Sequence, residues 1–165
     1  MFTFDWLLFQ EIHALGTYNS TTTHIAIFLN YALVGVLLAL AAAYAYHRRS
    51  RMIALMLAGS GAAAYIISRI IGFIHFRPRP FVTHHFAPLI SESPLSKSFP
   101  SSHAMCAFAL AFTLYLYNKT WGKWALALAF CIALLRVIVG VHYPSDILAG
   151  ALLGVLTSWL IRRFV

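Results

Sequence analysis

Charge is what this sequence has least of. Asp, Glu, Lys and Arg make up 10% of its 165 residues, against about 25% in an ordinary soluble domain. Hydrophobic residues make up 61% and the mean hydropathy is +0.79. That leaves too little polar surface to keep a folded chain in water, so the sequence reads as an integral membrane protein. Acids are scarcer still: Asp5, Glu11, Glu92 and Asp146 are all there are. A divalent cation such as magnesium takes several oxygen ligands, carboxylates first among them, and these four stand far apart. Neither a resident metal nor another cofactor is expected. Cysteine is limited to Cys106 and Cys131, both inside apolar runs. Two such residues make no disulfide framework and read as small buried hydrophobes. Repeats, low-complexity tracts and linkers are absent, which leaves residues 1–165 as a single membrane-embedded domain.

What is present is a series of apolar runs, at 25–46, 52–76, 101–117, 124–141 and 145–161. The first is uncharged and long enough to cross about 30 Å of hydrocarbon. The second is broken only by Arg69 and His75, the fourth holds Arg136, and the last is short. Ahead of them, residues 4–15 set Phe4, Leu7, Leu8 and Leu15 near helical spacing with Asp5 and Glu11 between. That is the pattern of an amphipathic helix lying in the interface. It has no basic start and no small-residue cleavage site, so it does not read as a signal peptide. The expected fold is all-α: a polytopic transmembrane helical bundle of about five spans plus an N-terminal interfacial helix.

The net charge is +8, from 12 Lys and Arg against 4 Asp and Glu. No basic stripe crosses a soluble domain, so no nucleic-acid partner is expected. Instead Arg48, Arg49 and Arg51, Lys119 and Lys123, and Arg162 and Arg163 fall in alternate gaps between spans, which marks that face as cytoplasmic. The N-terminus, the loop 77–100 and the turn 142–145 then face outward. Arg77, Arg79 and Lys97 lie on that disfavoured side, and an anionic ligand would account for them.

Three clusters meet there. Arg77-Pro78-Arg79-Pro80-Phe81 is held extended by its prolines and presents two guanidinium groups. Phe99-Pro100-Ser101-Ser102-His103 opens the third span with helix-start signals, and a helix N-terminus offers free N–H groups to an anion. In the third cluster Arg136 precedes His142, and Asp146 follows four residues later. An Arg deep in an apolar run is costly unless it faces a polar cavity. A carboxylate beside an imidazole fixes its tautomer and supports its cationic form. Taken singly, each has an ordinary structural explanation: a snorkelling basic turn, a capped helix, a surface pair. Jointly they offer cations and N–H groups for phosphate oxygens, a nucleophile, and an acid for a leaving group. Elsewhere, His84 and His85 read as incidental loop residues and His75 as the cap of the second span. Trp6, Trp121, Trp124 and Trp159 read as interface-belt residues, and Gly150 and Gly154 as a close helix contact.

The order RPRPF, FPSSH, R-x5-H-x3-D resembles the three-part signature of the type-2 phosphatidate phosphatase family. The phrases FQEIHALGTYNS, RPRPFV, SFPSSH and VGVHYPSDIL are similar to its bacitracin-resistance-type undecaprenyl-diphosphatases. The resemblance implies that His142 is the nucleophile, Asp146 its orienting acid, and His103 the group that protonates the leaving oxygen and later activates water. It implies that Arg79, Ser102 and Arg136 hold the phosphoryl oxygens, with Ser101 at the same helix start. The wider family has a lysine seven residues before the motif arginine, where this chain has Gly72; Arg77 could supply that charge from the other side, and Arg69 is the weaker candidate. The serine before the third-motif arginine is Leu135 here. The expected activity is metal-independent removal of the terminal phosphate of undecaprenyl diphosphate at the outer leaflet of a bacterial plasma membrane, with a polyprenyl diphosphate lipid as partner. Two other readings stand beside it. One is a phosphatase of phosphatidylglycerol phosphate, phosphatidate or a lipid A phosphate. The other is a small transporter with an Arg/His/Asp relay, disfavoured because the charges gather at one face. No oligomeric state follows from the sequence.

Overall fold

The computed structural model of the chain describes residues 3–164. The helices are α1 (Thr3–Thr17), α2 (Ser20–Arg48), α3 (Arg51–Ile74), a single turn α4 (Pro80–Thr83), α5 (Ser102–Tyr117), α6 (Lys119–Ile138) and α7 (Pro144–Phe164). Among the described residues there is no strand. α2, α3, α6 and α7 are long and apolar enough to cross a membrane. α5, the shorter apolar helix, completes the set of five apolar runs.

Each boundary has a local cause. Asn19 and Thr22 form a reciprocal capping box at the start of α2, which satisfies backbone donors that the first turn leaves open. Ser50 caps α3 by accepting the Ile53 N–H, and the preceding residue, Arg49, turns through the left-handed region at φ 48°. Asn118 ends α5 and caps α6 by accepting from Thr120 and Trp121. Pro144 opens α7, where its missing N–H costs nothing.

α5 is the axis of the bundle, packed against α3, α6 and α7. Its inner residues are small: Ala104, Ala109 and Ala111 are fully buried. On α7, a Cβ at Gly150 would lie 2.8 Å from the Ser101 carbonyl oxygen and one at Gly154 3.0 Å from the Ala109 nitrogen. The glycines therefore set the α5–α7 distance within the chain. Ser60, Thr113 and Ser158 link α3, α5 and α7 by buried hydroxyl bonds of 3.0 and 3.1 Å, so these three hydroxyls are satisfied within the spans.

The two cysteines differ from expectation. Cys106 is half-buried, but Cys131 is exposed on α6. In a bilayer the outer surface of a helix is as apolar as its core face, so an apolar run does not say which residues point inward. α1 uses its two faces differently. Phe9 is buried against Val137 and Tyr143, whereas Phe4, Leu7, Leu8 and Leu15 stay exposed. At the opposite end, Arg162 stacks over Tyr117 and Tyr44 packs against Trp121.

Candidate active site

α1, the segment 77–101, the start of α5 and the turn into α7 converge at one end of the bundle. Arg79 is the N-cap residue of α4. Its Nε donates to Ser96 Oγ at 2.7 Å and its Nη1 to the Val141 carbonyl at 2.9 Å. Arg136 comes from the last turn of α6 and is 2% exposed. Its Nη1 donates to Asn30 Oδ1 at 3.1 Å, which gives the asparagine inside α2 its partner. Both guanidinium groups reach Glu92, Arg136 Nη2 at 2.7 Å from Oε1 and Arg79 Nη2 at 3.4 Å from Oε2. Burial alone would raise the Glu92 pKa, but the two arginines outweigh it and hold the carboxyl below its ordinary range. Arg136 Nε and Asn30 Nδ2 are buried with no hydrogen-bond partner. These are open donors, and an anion would satisfy them.

His142 lies in the turn between α6 and α7, with Nε2 3.5 Å from Arg79 Nη1. On its other side Nδ1 is 3.5 Å from Ser98 Oγ and 3.8 Å from Asp146 Oδ2. Burial pushes the imidazole pKa down to about 3. The nearby Asp146 carboxylate opposes the shift, and Arg79 and Arg136 reinforce it. The ring is therefore neutral at physiological pH, with Nε2 turned toward the arginines. Asp146 is fully buried and heavily bonded: Oδ2 accepts from Ser98 Oγ at 2.5 Å and from the Tyr143 N–H at 2.9 Å. Its place in the first turn of α7 makes that backbone bond half of a capping box.

Arg77 stands apart from the other two arginines. Its Nη1 pairs with Asp146 Oδ1 and its Nη2 with Asp5 Oδ2, each at 2.7 Å, and its guanidinium lies 3.9 Å from the Tyr143 ring centre. Asp5 also accepts from the Ser145 N–H at 3.0 Å and from Ser145 Oγ at 2.6 Å. The first helix thus caps the last one through Asp5. Arg77 braces the carboxylate behind His142.

A further cation comes from the loop. Lys97 is 9% exposed, and its Nζ donates to the Pro100 carbonyl and, at 3.0 Å, to Ser102 Oγ. A Cβ on Gly72 would lie 2.5 Å from Lys97 Cδ, so the lysine stem runs through the space a side chain at 72 would fill. Burial, then Arg69 and Arg79, lower the Lys97 pKa to about 8. Ser102 also accepts from Ser68 at 2.8 Å, and Ser101 is fully buried as the cap of α5. His103, one residue into the helix, projects outward within electrostatic reach of Arg136, Glu92, Arg79 and Lys97. Beside it an apolar cleft of about 100 Å³ runs between α2, α5 and α6, lined by Val34, Leu37, Leu38, Leu110 and Ile132.

Of the residues singled out in the sequence, Arg79, Arg136, His142, Asp146, Ser101, Ser102 and His103 gather at this end, and Arg77 sits behind the carboxylate. Glu92, Ser98, Lys97 and Asp5 belong to the same network. None of them carries a spacing signal, although Lys97 stood out as a cation on the disfavoured face.

An all-helical membrane bundle with a buried neutral histidine, an acid behind it and cations in front defines a class of phosphoryl-handling membrane enzymes. The PAP2 superfamily pattern matches residues 53–165. The undecaprenyl-diphosphatase BcrC of Bacillus subtilis is 32% identical over 162 residues, covering 97% of this chain and 83% of that protein. A decaprenylphosphoryl-5-phosphoribose phosphatase of Mycobacterium tuberculosis is 37% identical over 120 residues, 72% of this chain and 64% of that protein. The crystal structure of Aquifex aeolicus LpxE superposes with a TM-score of 0.80 at 22% identity, over 98% of this chain and 96% of that one, a likeness of fold. The chain belongs to the PAP2 superfamily and is a membrane lipid phosphatase.

Proposed function

We propose that the protein removes the terminal phosphate of undecaprenyl diphosphate, giving undecaprenyl phosphate and inorganic phosphate, with its site at the outer face of a bacterial plasma membrane. The observation that carries the reading is the convergence of Arg79 and Arg136 on one carboxylate beside neutral His142. In the reaction, the terminal phosphate takes the carboxylate's place between the guanidinium groups. His142 Nε2 attacks phosphorus, forming a P–N bond as the bridging P–O bond breaks. His103 gives its proton to the departing prenyl phosphate, whose chain the apolar cleft beside it suits. The same imidazole then takes a proton from water, which attacks the phosphohistidine and frees phosphate and His142. Asp146, held by Ser98, Tyr143 and Arg77, supports the charge that His142 gains. Lys97 supplies the cation at the start of α5.

The likeness to BcrC along nearly the whole chain favours a prenyl diphosphate. The test is phosphate release by purified protein in detergent with a chelator, on undecaprenyl diphosphate, phosphatidate and phosphatidylglycerol phosphate, beside His142→Ala. Fastest release on the diphosphate, lost in the variant, is expected. Fastest release on a monophosphate overturns the substrate and keeps the chemistry. A dication would have to lodge among Arg79, Arg136 and Lys97, so an absolute need for added magnesium would overturn the mechanism.

A further inference from the structure

Glu92 already occupies the position just assigned to a phosphoryl group. Its two oxygens engage Arg136 at 2.7 Å and Arg79 at 3.4 Å, as two phosphate oxygens would. It also lies in the field of both His142 and His103. The partners differ in burial and in the backbone that carries them. The arginine side chains are 3% and 7% exposed, and Glu92 is 23% exposed. Arg136 issues from α6, whereas Glu92 sits on the irregular segment between α4 and α5. The carboxylate is the member of the trio that can withdraw.

We propose that Glu92 is the resident counter-ion of the phosphoryl site and sets its selectivity: a terminal phosphate with close to two negative charges displaces it, and a phosphodiester headgroup with one does not. The inference rests on the lipid-phosphatase reading. Exchanging one single charge for another returns no net attraction, and the tethered carboxylate has the advantage of high effective concentration. A second charge against Arg79, Arg136 and Lys97 tips the exchange. Anionic diester lipids crowd membrane surfaces, so a bare pair of arginines at the headgroup level would be occupied by them.

The test uses the full chain in detergent as wild type, Glu92→Gln and Glu92→Asp, with thermal melting of each to establish folding. Inorganic phosphate binding, measured calorimetrically, does not depend on which lipid is hydrolysed. If the site is open about a tenth of the time, Glu92→Gln tightens phosphate binding about tenfold, and Glu92→Asp, one methylene shorter, falls between. Added phosphatidylglycerol leaves wild-type hydrolysis unchanged and inhibits Glu92→Gln. Unchanged or weaker phosphate binding in the variants, or phosphatidylglycerol without effect on Glu92→Gln, overturns the proposal and makes Glu92 a fixed brace for the arginines. If Glu92→Gln does not fold, the phosphate affinity of Glu92→Asp decides alone. A wild type inactive on every lipid phosphate would refute the functional reading, while the phosphate titration would still judge Glu92.

Discussion

A histidine that is to attack phosphorus must be uncharged and must keep one lone pair free. His142 meets the first through burial and the second because Ser98 and Asp146 stand on its Nδ1 side, while Nε2 has only the long 3.5 Å approach of Arg79 Nη1. His142→Ala is therefore expected to abolish formation of an acid-labile phosphoenzyme from labelled substrate, with the elution volume of the protein unchanged. The same burial has a stability consequence. Between pH about 3 and 6.5 the unfolded chain binds a proton at His142 that the folded protein refuses, so stability at this group falls as pH drops from 6.5 toward 3. Lys97 acts in the other window. Its pKa of about 8 lies below the ordinary 10.5, so the unfolded chain binds more protons between these values and the melting temperature gains from this group as pH rises across them. Lys97→Met should remove that alkaline gain, which melting curves at a series of pH values will reveal. The motif residues were legible because their order and spacing are chemical statements in themselves. Glu92 and Ser98 were not, since each acquires its partner through a contact made only when the loop folds over α6 and α7.

At the scale of elements, the apolar runs located the spans to within a few residues, because length and hydropathy are all a bilayer requires. Which face of each helix turns inward was less legible, as Cys131 shows, except where glycine marks a close approach. Gly154→Ala would force a methyl group against the Met105 carbonyl, and overpacking of this kind costs about 1–3 kcal/mol, seen as a lower melting temperature. Gly150→Ala presses on the Ser101 carbonyl, at the start of α5, so it should also slow turnover. α1 was legible as an amphipathic helix but not as a clamp, for Asp5 in isolation is only a charge on a polar face. Asp5→Ala frees Ser145 and one side of Arg77. Misplacing a reacting group by about 1 Å can cost roughly a hundredfold, so a large loss of kcat with little change in KM is expected from initial rates.

Across the whole molecule, charge is divided between two ends. One carries cations without chemistry at the α2–α3 turn, the α5–α6 turn and the end of α7. The other combines Asp5, Glu92 and Asp146 with Arg77, Arg79, Lys97 and Arg136. With the first end inward, a cysteine in place of Leu95, which is 87% exposed, should react with an impermeant maleimide on intact cells. One in place of Tyr46, equally exposed at 87%, should react only after permeabilisation. The reverse pattern would place the chemistry in the cytoplasm.

The bond from the Ser145 N–H to Asp5 joins residues 140 positions apart. A ribosome adds about 5–20 residues per second, so α1 emerges roughly ten seconds before the helix it caps. Arg77 and Arg79 follow about halfway through that interval, and His142 only at its end. A chain stalled before its final helix therefore lacks Asp146, the carboxylate that Arg77, Ser98 and the Tyr143 N–H hold beside His142.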